Sequence, residues 1–381
     1  MNFDLTDDQR MLVDTARGFV KKSSPVDRFR KQRSGELGFD RKVWEQMGEL
    51  GWLGVMYPEE IGGFGGRFID AALIIEQLAT TLVPEPYLAS AIAGGLPILR
   101  GGSAEQRKRW LPDLIEGKAI IALANSEDGS RYATEELATR ANESGSSFRI
   151  DGKKRWVLAG HAADRFVVSA RTDDGVSLFV VERDAKGVAV DRVKTMDGHG
   201  AAMLSLEGVE VGADAMLGEQ GQGAAILDQT CDAAAAAACI EAVGLAQTVL
   251  NMTVEYMKTR EQFGVKIGSF QALQHRAVDM FVEIELLRSL AIEASLRIDE
   301  GEPDDRRAAV SAAKVQLAAG GRQVVRQGTQ LHGGIGVTEE HDIGLYFKRM
   351  QVLSALFGDD RHHLRRFASL PGFAAGVETS S

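Results

Sequence analysis

The sequence predicts a mainly α protein with a β domain in the middle of the chain. Three observations predict this class: helical periodicity over residues 1–118, short alternating segments over 119–220, and long helical periodicity over 221–370. Closely spaced strands without intervening helices indicate an antiparallel β sandwich or barrel. We therefore expect an N-terminal helical domain (1–118), a middle β domain (119–220), a C-terminal four-helix bundle (221–370) and a mobile tail (371–381).

Capping signals mark the first helices. Thr6 with Gln9, and Ser103 with Gln106, form capping boxes in front of apolar residues at helical spacing, and Asp40 is placed to cap a further helix. Turn pairs such as 151–152 and 174–175 separate the short segments of the middle domain. The expected strands are 120–124, 137–141, 148–151, 166–169, 178–181 and 204–211; the expected C-terminal helices are 224–258, 270–299, 305–331, 340–356 and a short last one.

Composition excludes several function classes. The 381 residues carry a net charge of −10, so the chain has no basic excess with which to bind nucleic acid. Cys231 and Cys239 are the only cysteines, which indicates neither a disulfide framework nor a zinc site and fits a reducing cytoplasm. The acidic N-terminus does not resemble a secretion signal, and we expect no membrane span.

The stretch TREQFGVKIGSFQALQH, residues 259–275, joins two predicted helices through a turn. It sets Arg260 beside amide side chains and two aromatic rings, and a guanidinium can bind a pyrophosphate through two hydrogen bonds. Phe263 and Phe270 either cover a ring of a ligand or pack the turn. The alternative is a plain corner between helices with a surface arginine.

A second segment, QLHGGIGVTEEH, occupies residues 330–341. It places the side-chain amide of Gln330 next to Gly333 and Gly334. Because these glycines lack a Cβ, a bulky ligand can approach their backbone amides closely.

Together the two stretches resemble the acyl-CoA dehydrogenase family, and so do LTDDQ, ELGWLGVMYPEEIGGFGG and GGSAEQRKRWLPDLIEGKA in the N-terminal region. The resemblance spans nearly the whole chain. It implies that fold, FAD held across a subunit interface, an acyl-CoA substrate, an electron-transfer flavoprotein as acceptor, and assembly as dimers of dimers. Within the family, LFGD-x-x-HH looks similar to the small subunit of pimeloyl-CoA dehydrogenase, which implies a second, larger subunit.

The resemblance also assigns residues. The dinucleotide contacts would come from Arg260, Gln262, Phe263, Phe270, Gln271, Gln330, Gly333 and Gly334. In the β domain, LANSEDGS looks like a shortened form of the family's flavin segment, so Ser126 would contact the flavin and Ser130 the thioester. RWVLAGHAAD looks like the family's tryptophan segment and places Trp156 against the isoalloxazine ring. Leu158 stands where the family has a threonine, so one hydroxyl is missing.

The base position departs from the family. The usual glutamate aligns with Phe357 or, after a shift of one residue, with Gly358; the family's alternative glutamate aligns with Ala234. None of these side chains can accept a proton.

Three carboxylates are possible substitutes, Asp359, Asp360 and Glu241, and of these Asp359 and Glu241 are the candidates. Either aspartate would more often form an ion pair, for example with Arg361 or Arg365.

Three enzyme hypotheses follow. The chain is a dehydrogenase subunit whose partner contributes the base, a self-sufficient homotetramer with a relocated base, or a flavin monooxygenase on the same fold. A structural subunit without flavin chemistry is a fourth hypothesis. His362 and His363 point about 100° apart on a helix with no further ligand cluster nearby, so no metal site is indicated and a surface or phosphate-facing role is favoured.

Overall fold

The computed structural model describes residues 4–134 and 136–371; of the predicted tail, all but Pro371 lies outside the described residues. The α-helices are α1 Asp7–Ser23, α2 Val26–Gln32, α3 Arg41–Glu49, α4 Phe68–Ala79, α5 Gly95–Gly101, α6 Ala104–Ile115, α7 Gly223–Thr259, α8 Gln271–Glu300, α9 Pro303–Gln316, α10 Arg322–His332, α11 Ile343–Ala355 and α12 Asp360–Ala368. The strands are β1 Ile121–Ala124, β2 Arg140–Ser144, β3 Ser147–Leu158, β4 Arg165–Thr172, β5 Gly175–Glu182, β6 Val188–Lys194, β7 Gly200–Gly212, β8 Met216–Leu217, β9 Glu261–Gln262 and β10 Val265–Lys266.

The predicted helix starts are confirmed at all three signals. The side chains of Thr6 and Ser103 accept hydrogen bonds from the backbone N–H groups of Gln9 and Gln106. In turn, the side-chain oxygens of both glutamines accept the backbone N–H of the cap residue. Asp40 caps α3 through the backbone N–H of Lys42. Each cap satisfies backbone donors that a helix leaves unpaired at its first turn.

Eight strands form one sheet in the order β6-β7-β3-β2-β4-β5-β8, and β1 pairs with β4. The pairings are antiparallel except for β1 with β4 and the single residue pair that joins β2 to β4. The residues of β4 and β5 are almost all buried, which explains the apolar runs 166–168 and 178–181 within them.

Each of the six expected strands overlaps an observed strand, but the described part of the sheet contains eight strands, so two were not expected. Strand β6 was not predicted, because it alternates only weakly and is largely exposed at the edge of the sheet. Of the expected strand 137–141, only its last two residues belong to β2. Strand β3 continues to Leu158, past the expected end at 151.

The chain forms two compact units. Of the described residues, those within 1–29, 68–83 and 235–381 form one unit, and those within 30–67 and 84–234 form the other. In the first unit α8 packs on α9, α9 on α12, α10 on α11 and α1 on α4. The contact of α7 with α4 is close, because a Cβ at Gly244 would collide with the carbonyl oxygen of Glu76.

One predicted helix needs correction. The expected helix 305–331 is interrupted by a π-helical segment, Leu317–Gly321, so it consists of α9 and α10. Helix α7 is long and apolar enough to cross a membrane by length and composition, but 83% of its most apolar window is buried inside the protein, as in the core helix of a globular domain.

Candidate functional site

A β-hairpin follows α7 directly, where the sequence predicted only a turn. Strands β9 and β10 pair antiparallel, with Gln262 opposite Val265. The two turn residues, Phe263 and Gly264, have φ values of 54° and 80°. Positive φ at both central residues is the geometry of a two-residue hairpin turn, and it presents the Phe263 ring with 92% of its surface exposed.

The predicted polar groups around this hairpin are exposed. Arg260, Gln262, Gln271 and Gln330 are all solvent-accessible. Within residues 4–134 and 136–371, none of these four side chains forms a hydrogen bond or an ion pair. They are available to a ligand without the loss of an existing contact.

The aromatic rings form a pair at the surface. Phe270 is 37% exposed, and its ring meets that of Phe263 edge-on with a centroid separation of 6.2 Å. The rings therefore pack on each other and still offer open surface to an apolar or aromatic group.

The glycines of the second motif have two different roles. A Cβ built on Gly333 or on Gly334 would meet nothing within 4 Å, whereas one on Gly336 would lie 2.5 Å from the carbonyl oxygen of Thr329. Gly336 is thus needed for packing, and the other two leave open backbone, as the motif predicted.

Sequence reasoning missed the support of this loop. His332, the last residue of α10, is buried and stacks on Tyr256 at 4.6 Å, and its other neighbour His341 is also 4.6 Å away. Burial lowers the pKa of His332, and its Nδ1 is 2.8 Å from the carbonyl oxygen of Gly328. A neutral imidazole therefore fixes the start of the glycine loop.

In the β domain, Ser126 and Trp156, the two predicted flavin contacts, belong to segments that are hydrogen-bonded to each other. The backbone N–H of Arg155 donates to the carbonyl oxygen of Ser126 at 2.8 Å, so the Ser126 segment is bound next to Trp156. Trp156 has φ of 52° and lies where the pairing of β3 with β7 shifts register. Such a β-bulge re-aims a side chain, and Trp156 is 52% exposed while the other three tryptophans are buried.

Ser130 is buried and has a local partner. Its hydroxyl donates to the carbonyl oxygen of Glu127 at 3.3 Å. The predicted thioester contact of Ser130 therefore stays a prediction that requires the hydroxyl to change partner.

A buried ion pair that the sequence did not indicate lies beneath these residues. The Nζ atom of Lys154 is 2.6 Å from Oε1 of Glu127, and their side chains are 0% and 4% exposed. Burial lowers the pKa of Lys154 to about 8. Burial would raise the pKa of Glu127, but the hydrogen bond and charge of Lys154 hold it below its ordinary value.

The resemblance aligns Ala234, Phe357 and Gly358 with the family's base positions, and none of these three side chains is acidic. Ala234 is fully buried within α7. Phe357 has φ of 56° and Gly358 has φ of 118°, and a Cβ on Gly358 would collide with the His363 ring. The backbone and the His363 ring therefore require glycine at position 358, whereas Phe357 is held in a left-handed conformation.

Two buried side chains support the turn at Phe357 and Gly358 through hydrogen bonds to backbone carbonyl oxygens. Lys314 donates to the carbonyl oxygens of Leu353 and Leu356 at 2.8 and 2.7 Å. His363 lies 3.0 Å from the carbonyl oxygen of Phe357. Burial lowers the pKa of Lys314 to about 8 and that of His363 to about 2.

The expected surface or phosphate-facing role of His363 was wrong. It is 1% exposed and contacts Ser311 with its Nδ1 at 3.2 Å, so it does not face the surface or a phosphate. Among the described ranges, no group of three or more His, Cys, Asp or Glu residues could hold a metal ion.

Both candidate bases have structural contacts. Asp359 accepts the backbone N–H of His362 at 2.9 Å as the N-cap of α12. Glu241 binds Arg349 through both oxygens, at 2.6 and 2.9 Å, and joins α7 to α11. Either carboxylate would have to break these contacts in order to reach a substrate.

Models of one protein family match most of the chain, domain by domain. Family models match residues 6–118 (acyl-CoA dehydrogenase, N-terminal domain), 122–209 (middle domain) and 221–369 (C-terminal domain). Acyl-CoA dehydrogenase IpdE2 of Mycobacterium tuberculosis is 31% identical and covers 95% of this chain and 97% of its own. The caffeyl-CoA reductase-Etf complex subunit CarC of Acetobacterium woodii is 27% identical over 93% of this chain and 95% of its own.

Solved structures share the fold. A chain of the ChsE4-ChsE5 complex from Mycobacterium tuberculosis superimposes with a TM-score of 0.89 at 28% identity, covering 100% of both chains. This protein belongs to the acyl-CoA dehydrogenase family, whose members are FAD-dependent oxidoreductases acting on CH–CH bonds.

Proposed function

We propose that this chain is a base-deficient subunit of a hetero-oligomeric acyl-CoA dehydrogenase, in which a different subunit contributes the catalytic carboxylate. One observation carries the proposal: none of the family's base positions holds an acidic residue, and the two nearby substitutes, Asp359 and Glu241, are engaged as a helix cap and in a bidentate ion pair. Removal of the α proton of an acyl-CoA needs a positioned base.

The residues present fit FAD. The exposed guanidinium of Arg260 suits a pyrophosphate, and the exposed amides of Gln262, Gln271 and Gln330 offer hydrogen bonds without losing existing ones. The backbone at Gly333 and Gly334 is open, because a Cβ at either would meet nothing within 4 Å.

When it is bound, FAD accepts the β hydrogen as hydride. The residues of this chain bind and orient. Arg260 provides the charge for the pyrophosphate, and Phe263 and Phe270 provide aromatic surface. In the β domain, the half-exposed Trp156 supplies an aromatic face, and Ser126 is held beside it through the N–H of Arg155.

An exposed apolar stripe supports a partner subunit. On α8, Val278, Phe281, Val282 and Leu286 are 58%, 52%, 47% and 50% exposed, and their spacing sets them on one helix face. A second subunit of the family is the partner we propose, in a heterotetramer; a homotetramer is the other outcome. The ChsE4-ChsE5 neighbour is described as a complex of two named components, which supports this choice.

The electron acceptor we propose is an electron-transfer flavoprotein, since CarC is named as a subunit of a complex with Etf. Within the acyl-CoA class, the likeness of the LFGD-x-x-HH segment to the small subunit of pimeloyl-CoA dehydrogenase favours dicarboxylic or otherwise bulky acyl groups.

The experiment compares the lone chain with the complex. The purified chain is loaded with FAD, the bound flavin is quantified by absorbance, and reduction of an electron-transfer flavoprotein by a panel of acyl-CoAs is followed. We expect bound flavin but turnover only after co-expression with an acidic-base subunit of the family. Rapid turnover by the flavin-loaded lone chain contradicts base deficiency. A colourless chain that cannot be loaded contradicts the flavin proposal, and oxygen consumption driven by reduced flavin would instead identify a monooxygenase.

A further inference from the structure

The buried pair of Glu127 and Lys154 joins two segments of the β domain. Glu127 belongs to the loop after β1, and Lys154 lies in the middle of β3. Sequence analysis assigned neither residue a role, although Ser126 and Trp156, the two expected flavin contacts of this domain, lie one and two residues from the pair.

Both charged groups are bound on several sides. The Lys154 ammonium donates to Glu127 at 2.6 Å and to the Ser169 hydroxyl on β4 at 3.0 Å. The Glu127 carboxylate also accepts the backbone N–H groups of Ala138 at 2.6 Å and Thr139 at 3.2 Å. The pair therefore binds the loop to three places in the β domain.

The contacts continue from the pair to the exposed residues. The carbonyl oxygen of Glu127 accepts the Ser130 hydroxyl, the carbonyl oxygen of Ser126 accepts the N–H of Arg155, and the Arg155 side chain forms an ion pair with Asp128. The loop is thereby attached to β3 on both sides of Glu127, next to the bulge that exposes Trp156.

Stability alone does not account for such a pair. A buried ion pair contributes little more to stability than an apolar pair of similar volume, because desolvation of both charges offsets their attraction. Its specific contribution is geometric, since it satisfies both charges in only one arrangement of the loop and the strand.

We propose that Glu127 and Lys154 are a positioning pair, which sets Ser126 and Trp156 in the arrangement that binds the flavin. This inference rests on the proposed flavin function. The pair itself stays buried and touches neither cofactor nor substrate; it acts through the loop and through the β3 bulge.

The test uses the full chain and the double variant Glu127→Gln/Lys154→Met, which removes both charges while keeping side-chain volume. Lys314→Met is the matched control, because it removes a different buried lysine. Two quantities are measured: the Kd for FAD, and the acrylamide quenching of Trp156 fluorescence without cofactor, with Trp156→Phe variants subtracting the three buried tryptophans.

We expect the double variant to unfold cooperatively, to show stronger quenching of Trp156 than the wild type and the control, and to bind FAD about 10-fold more weakly because a small displacement of a binding group has a large effect. A folded double variant with wild-type quenching and wild-type Kd would overturn the proposal. If the double variant does not fold, Glu127→Asp, which keeps the charge but shortens its reach, decides by the same two measurements.

The two proposals fail separately. A wild-type chain that binds no FAD refutes the flavin function, and the quenching of Trp156 in the double variant then still decides whether the pair positions the bulge. Wild-type FAD binding together with an unaffected double variant refutes only the positioning role.

Discussion

The ion pair between Glu241 and Arg349 provides the sharpest test of whether this chain has a base of its own. Both side chains are mostly buried, at 15% and 11% exposure, and both carboxylate oxygens are bound. Removing one partner of a buried pair costs about 3–5 kcal/mol, because the other charge stays buried and loses that partner. Since neither side chain here is fully buried, Glu241→Gln should lower the free energy of unfolding by about 3 kcal/mol, near the lower end of that range.

A matched control lies on the same helix. Glu255 pairs with Lys258 at 2.7 Å, but their side chains are 68% and 63% exposed. An exposed pair at this spacing contributes about 0.5 kcal/mol or less, so Glu255→Gln should change stability very little. The double variant Glu241→Gln/Arg349→Met should regain part of the loss, because it removes both charges of the pair.

The assay is urea unfolding at neutral pH followed by circular dichroism, together with flavin content and acyl-CoA dehydrogenation in the presence of the co-expressed partner. We expect Glu241→Gln to lose stability and to retain turnover in proportion to folded, flavin-loaded protein. If Glu241→Gln unfolds like Glu255→Gln and yet abolishes turnover with flavin still bound, Glu241 is the base and the structural role assigned to the pair is refuted.

Three further predictions follow from the same structure. Arg260→Ala should raise the Kd for FAD by about 10- to 100-fold, through loss of a charged contact, and leave the stability of the apo-protein unchanged. The control is Arg361→Ala, which removes another exposed arginine. A loss of stability in Arg260→Ala without a change in Kd would contradict the assignment. The folded-state pKa of His363 is about 2, so below about pH 6.5 the unfolded chain binds a proton that the folded chain does not, and stability falls as pH falls. Between pH 7 and 5 the wild type should lose about 2 kcal/mol more unfolding free energy than His363→Gln, as measured by urea titration. An equal pH dependence of the unfolding free energy in the two proteins would contradict this. Gly334→Ala should weaken FAD binding while changing stability by less than about 0.5 kcal/mol. Gly336→Ala should lower stability by about 1–3 kcal/mol, because its Cβ would lie 2.5 Å from a carbonyl oxygen. Thermal unfolding in which Gly334→Ala is the less stable of the two variants would refute the assigned roles.

Local signals predicted much of the fold from the sequence. The capping residues Thr6, Asp40 and Ser103 act within three positions of their partners, so a short window contains the whole interaction. The change from helical to alternating periodicity near residue 119 likewise reflects side chains on one element facing one core.

What the sequence did not predict depends on distant partners. Glu241 meets a residue 108 positions away, and Glu127 meets one 27 positions away, so neither pair has a local signature. The exposure of Trp156 depends on a register shift between β3 and β7, which no property of residues 155–157 indicates by itself. The exposed strand β6 has too little apolar alternation to be recognised without its neighbour.

The turn around Phe357 and Gly358 is supported by side chains outside the turn itself. The shape of this turn is determined by Lys314 and His363, two side chains from other parts of the unit, and neither contact uses the side chain of residue 357. Exchange of that side chain therefore leaves the supporting hydrogen bonds intact.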